Sequence, residues 1–72
     1  MRYFDYEKVA RGANIPPEAL SELCRQIRQE FPTDDMMYEL HLLRVCMAIK
    51  EGALTLQDAL KSELAAAALL NP

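Results

Sequence analysis

The sequence has few of the residues from which catalytic and metal sites are usually built. Its 72 residues include only two glycines, two cysteines and one histidine. Gly12 and Gly52 are predicted to lie at helix ends, so no glycine-rich loop is available to hold a phosphate. The spacings C-x-x-C and H-x-x-x-H, which are typical of zinc sites, are missing. We therefore expect no enzyme, no metal and no other cofactor.

The positions of the two thiols and the single imidazole also argue against a catalytic or metal site. Cys24 and Cys46 lie among apolar residues of predicted helices, which favours buried free thiols over a disulfide framework. A nucleophilic thiol needs an electropositive setting, but Arg25 points about 100° away from Cys24 on a helix. His41 and Cys46 point about 140° apart on one helix, so they cannot share an ion within one chain.

An excess of positive charge and a long apolar run are missing too. The formal net charge is −3 with a pI near 5.0, whereas nucleic-acid binding usually needs a basic face. The longest apolar segment is interrupted by charged residues and is shorter than the roughly 20 residues that span a bilayer. The first residues, MRYFDYEK, contain no run like the apolar core of a signal peptide. We expect a cytoplasmic protein that contacts neither membranes nor nucleic acid.

Apolar residues, in contrast, are abundant. They make up 51% of the chain, at the upper end of the usual range of about 45–50%. A chain of this size buries only about 60% of the surface that it exposes when unfolded. Its core rarely supplies more than about 3–5 kcal/mol without a partner or a staple. This surplus predicts self-association, most simply as a homodimer, or binding to another protein.

The pattern of caps and breakers predicts an all-α fold. We expect one domain, residues 1–72, built as a small helical bundle with one short N-terminal helix plus three longer helices and short loops. The residues that predict where helices begin and end are Asp5, Ala10, Gly12 and Asn14 for the first helix, Pro16, Pro17 and Pro32 for the second, Thr33, Asp34, Asp35 and Gly52 for the third, and Thr55 with Asp58 for the fourth.

The second predicted helix has a single apolar stripe, and the third has two. The polar side of the second helix is predicted to be solvated, and it consists of Glu18, Glu22, Arg25, Arg28, Gln29 and Glu30. In the third helix, one apolar side contains Leu40 and Leu43, and the other contains Leu42 and Val45. Polar seams separate the two sides, with Glu39 in one seam and His41 and Arg44 in the other. A helix with two apolar sides is either the central rod of a bundle or part of an interface.

We predict that one side of this helix packs on the second and fourth helices and that the other side, or the C-terminal segment, meets a partner. The predicted interface residues are Met36, Met37, Leu40, Leu43, Met47, Leu64, Leu69 and Leu70. The seam formed by His41 and Arg44 is predicted to respond to pH if it lies in the interface, since imidazole titrates near neutrality. The sequence does not decide which apolar side is exposed.

A DNA-binding regulator is the alternative. The segment VARGANIPPEALSELCRQIR resembles the layout of a helix-turn-helix, with Arg25, Arg28 and Gln29 as the groove-compatible side chains. Acidic residues on the same side would repel phosphate, and the turn is longer than the usual 3–4 residues. The interaction module is therefore the primary prediction.

Overall fold

Four helices form the part of the chain that the computed structural model describes, which is residues 3–70 with the side chains of residues 3–63. The helices are α1 (Tyr6–Gly12), α2 (Pro17–Glu30), α3 (Asp35–Lys50) and α4 (Leu56–Leu70). No strand occurs between residues 3 and 70. The predicted fold class, a small all-α bundle with one short and three longer helices, is confirmed.

Local hydrogen bonds explain why α1, α3 and α4 begin where they do. The Asp5 carboxylate accepts the Lys8 backbone N–H at 3.2 Å, and the Asp34 carboxylate accepts the Met37 N–H at 3.1 Å. At the start of α4, the Thr55 hydroxyl accepts the Asp58 N–H, also at 3.1 Å. Each bond satisfies a backbone donor that has no partner inside its helix. The three predicted caps are therefore confirmed.

The helix ends agree with the sequence less closely. Gly52 has a φ of 81° and closes α3 as predicted, and Asn14 has a φ of 59° after α1. Gly12, however, is the last residue of α1 rather than a left-handed exit, so α1 continues beyond Ala10. Helix α2 ends at Glu30, before the predicted stop at Pro32. Proline disfavours the helical conformation of the residue before it, which explains the early end.

The core consists of two adjoining clusters. The first joins α2, α3 and α4, and its buried residues are Leu23, Ile27, Leu42, Val45 and Ala59. The second lies where α1 crosses α3 and contains Ala10, Ile15 and Cys46, all at most 8% exposed. Small side chains at positions 10 and 46 let the two helices approach closely.

Helix α3 has one neighbour that the sequence did not predict. It packs most extensively against α1, less against α2 and only slightly against α4, while α2 and α4 form the other main pair. Through the first core cluster α3 packs on α2 and α4 as expected, and its extensive contact with α1 was not predicted. Within the described residues, none of the helices has the length and apolar character needed to cross a bilayer.

Candidate functional site

One apolar side of α3 points away from the core. We call Met36, Leu40, Leu43 and Met47 the outer face. Met36 is 48% exposed and Met47 is 42% exposed, and the two leucines between them are partly buried. None of these residues belongs to either core cluster of the described chain. The structure thus decides which of the two apolar sides is exposed.

The spacing of the outer face is that of a helix pairing surface. Its residues follow one another at intervals of four, three and four, which is the seam spacing of a coiled coil. The order Met, Leu, Leu, Met also reads the same in both directions. In an antiparallel pair of α3 helices, Met36 would therefore face Met47, and Leu40 would face Leu43. The order of these side chains is thus compatible with a two-fold axis.

A shallow groove adjoins one end of the outer face. It has a volume of about 250 Å³ and is lined by Val9, Met47, Lys50 and Glu51. Its walls come from α1 and from the end of α3, so it exists because α1 packs on α3. It offers room beside Met47 for an additional apolar side chain.

The remaining predicted interface residues contribute less. Met37 is partly buried. The side chains of Leu64, Leu69 and Leu70 lie outside the described residues, although the backbone of α4 is helical as far as Leu70. Of the predicted interface residues whose side chains the structure describes, Met36 and Met47 are exposed, and Met37, Leu40 and Leu43 are partly buried.

A second feature is a polar triad formed by three helices. His41 of α3 approaches Glu63 of α4, with 2.8 Å between His41 Nε2 and Glu63 Oε1. Glu30, the last residue of α2, completes the group, and one ligand atom from each residue lies within 4.8 Å of the others. The ring of Phe31 stands against His41, with 5.7 Å between centroids. An apolar wall therefore borders the triad.

The two carboxyl groups of the triad are poorly satisfied. Glu63 is only 7% exposed, and Glu63 Oε2 and Glu30 Oε2 are both buried without a hydrogen-bond partner. Burial, followed by the nearby Glu63 carboxyl, raises the pKa of Glu30 to about 7, and the charge of His41 opposes this effect only in part. Buried polar atoms are normally hydrogen-bonded, so such an arrangement needs an explanation.

Sequence reasoning missed this triad. It assigned Glu30 to the solvated side of α2 and left Glu63 without a role, yet each lies one heptad after a core residue. Glu30 is about 20° from the direction of Leu23, and Glu63 is about 20° from that of Leu56. Their positions on the core side of each helix were the feature of the sequence that could have identified these two residues. A search for ligands at short spacings along the chain could not find it, because each residue belongs to a different helix.

The two predicted seams of α3 also differ from expectation. His41 is paired with Glu63, while its predicted seam neighbour Arg44 is exposed. Glu39 is 7% exposed rather than solvated, and its Oε1 accepts the backbone N–H groups of Tyr3 and Phe4 at 2.8 and 3.0 Å. The N-terminal segment supplies the donors that make this burial tolerable.

The arginines of the DNA-binding alternative are both engaged with acidic groups. Arg25 donates two hydrogen bonds to the Glu22 carboxylate, and these bonds lower the pKa of Glu22 to about 2. Arg28 donates to Asp35 at 2.8 Å, and its guanidinium lies 3.7 Å from the centre of the Tyr38 ring. Gln29 is exposed. Phosphate would have to compete with carboxylates for both guanidinium groups.

Neither cysteine is in a disulfide. Cys46 is fully buried and Cys24 is partly buried. Burial, with a smaller contribution from Cys24, raises the pKa of the Cys46 thiol to about 11. A thiol with a raised pKa and no access to solvent is a poor nucleophile at neutral pH.

No family model, curated protein or solved structure matches the chain significantly.

Proposed function

We propose that this chain is a small interaction module that self-associates through the outer face of α3, as a two-fold antiparallel pair. The observation that carries the proposal is the Met36–Leu40–Leu43–Met47 face, which combines two exposed methionines with coiled-coil spacing and an order that reads the same in both directions.

The length of the outer face sets the strength of the expected association. Met36 and Met47 are eleven residues apart, so the outer face extends about 16 Å along the helix. A contact of this length buries less surface than the standard stable interface of roughly 1,600 Å². We therefore expect a reversible dimer whose population depends on concentration. Reversible assembly suits a regulatory module whose face can also be occupied by another protein.

The chemistry of the face supports an adaptable contact. Methionine has three rotatable bonds and a polarizable sulfur, so it can fill irregular gaps opposite different partners. The groove bounded by Val9 and Met47 can receive Met36 of a second copy, which the antiparallel arrangement brings to that end. Leu40 and Leu43 then form the centre of the contact between the two copies.

Absolute mass by light scattering after size-exclusion chromatography tests this proposal. The mass should rise with concentration from 8.2 kDa toward twice that value. Met47→Glu adds a charge to the outer face and should keep the protein monomeric over the whole range. Ser21→Glu, which adds the same charge at an exposed position of α2, should leave the association unchanged.

Two results would contradict self-association by this face. One is a constant mass of 8.2 kDa at all concentrations. The other is equal association of Met47→Glu and the unmodified chain. Circular dichroism shows whether each variant keeps its helices, so that a folding defect is not mistaken for a loss of assembly. Salt-sensitive binding to duplex DNA that Arg25→Glu with Arg28→Glu abolishes would favour the alternative function instead.

A further inference from the structure

The triad formed by Glu30, His41 and Glu63 contains the components of a cation site. Three residues from three helices bring one nitrogen and two carboxylate oxygens within 4.8 Å of one another. In addition, Glu63 is more than nine-tenths buried and its Oε2 has no hydrogen-bond partner. A buried carboxylate oxygen without a donor is the ligand that a cation would satisfy.

We propose that Glu30, His41 and Glu63 bind a divalent transition-metal ion of the zinc class. The donor set selects this class. Magnesium and calcium prefer sites made of oxygen alone, while an imidazole nitrogen favours zinc and its first-row neighbours. Three protein ligands with solvent in the fourth position form a recognised zinc arrangement. Because the site uses other residues than the outer face, it does not depend on self-association.

The distances suit such an ion after small adjustments. Zinc lies roughly 2.0–2.1 Å from nitrogen and oxygen ligands, so the ligand atoms of a tetrahedral site are roughly 3.3 Å apart. The 2.8 Å between His41 Nε2 and Glu63 Oε1 is close to that value. Glu30 and His41 are only partly buried, so the site has an open side through which an ion can enter.

Electrostatics also favours a cation at this place. Two carboxyl groups share the site with a single imidazole, and Glu30 stands at the C-terminal end of α2, where the helix dipole is negative. A divalent ion would neutralise the charge of both carboxylates. Bound there, it would join the end of α2 to α3 and α4, and so stabilise the bundle.

The single histidine allows a direct test with Zn²⁺ and Co²⁺ as probes. Titration of the reduced, folded protein with Zn²⁺ should saturate at one ion per chain and shift the imidazole ¹⁵Nε2 resonance. Co²⁺ should give the visible absorption of a tetrahedral site, without the intense near-ultraviolet band of thiolate ligation. Mg²⁺ at the same concentrations should leave the imidazole resonance in place.

Variants then assign the carboxylates. Glu63→Gln and Glu30→Gln keep the side-chain volume and should each weaken Zn²⁺ binding at least tenfold. Glu18→Gln, an exposed position of α2, is the matched control and should bind as the unmodified chain does. Three results would overturn the proposal: no binding at millimolar Zn²⁺, binding that leaves the imidazole signals unmoved, or equal weakening by Glu18→Gln. The imidazole signal reports on the unmodified chain, so the test holds even if a variant fails to fold.

Discussion

At the residue scale, Cys46 shows how burial suppresses chemistry. It is fully buried, and its pKa of about 11 leaves about one thiol in a thousand ionised at pH 8. We predict that iodoacetamide at pH 8 modifies Cys24 first and reaches Cys46 only when the protein unfolds. Mass spectrometry of the peptides, with Cys24→Ala as the single-thiol control, measures both rates. Labelling of Cys46 at the same rate in buffer and in urea would indicate an accessible thiolate and make Cys46 a candidate nucleophile.

The same pKa gives a dependence of stability on pH. The unfolded thiol ionises near its ordinary pKa of 9, whereas the folded one ionises near 11. The unfolded state therefore loses a proton first, and the free energy of unfolding contains this contribution in full only below pH 9. It should decrease as the pH rises from 9 through 11, and Cys46→Ala should reduce that decrease.

Residue-scale prediction from the sequence failed mainly for acidic side chains. Charge alone suggests a solvated position, and the sequence accordingly placed Glu30 on the polar side of α2 and Glu39 in a seam. Glu39 is buried because it accepts the backbone N–H groups of Tyr3 and Phe4, which lie far away along the chain, and Glu30 is partly buried beside residues of two other helices. Burial of a charged group depends on such partners, and the pattern along one helix does not contain them.

At the element scale, helix starts could be predicted because their causes are local. A cap needs a side-chain oxygen and a backbone N–H three residues later, and both are visible in the sequence. We predict that Thr55→Ala destabilises the protein by about 1 kcal/mol, since the Asp58 N–H loses its acceptor. Urea unfolding followed by circular dichroism measures the change.

The hydroxyl group can be separated from the rest of the side chain. Thr55→Ser keeps the acceptor oxygen and should retain most of the stability. Ser62→Ala removes a hydroxyl from an exposed position inside α4 and should not destabilise the protein. If Thr55→Ala and Thr55→Ser were equally stable, the hydrogen bond at the start of α4 would contribute nothing, and the position of this helix would be set by packing alone.

At the scale of the whole molecule, the sequence predicted four helices but not all of their neighbours. The pairing of α1 with α3 depends on the small side chains of Ala10 and Cys46 meeting at one point, which no periodicity within a single helix reveals. For the same reason the sequence could not choose between the two apolar sides of α3. The outer face is distinguishable only because α1, α2 and α4 together cover the other side.

The proposed dimer makes a prediction about the direction of pairing. An antiparallel pair brings position 36 of one copy to position 47 of the other and separates the two copies of position 36 by about 16 Å along the helices. Disulfides need Cα atoms within about 7 Å. Met36→Cys and Met47→Cys proteins, made in a Cys24→Ala background with one of them labelled with ¹⁵N, should therefore form the mixed disulfide preferentially when oxidised together.

The mass of the oxidised product identifies which copies have paired. Random collision of equal amounts gives about half mixed product, so antiparallel pairing predicts a clearly larger share, together with slow oxidation of Met36→Cys alone. A parallel pair predicts the reverse, because position 36 would then face its own copy. Leu40→Glu should remove the preference for the mixed disulfide while leaving the cysteines reactive, because it places a charge at the centre of the outer face. Persistence of the mixed disulfide in that variant would mean that another surface brings the two copies together.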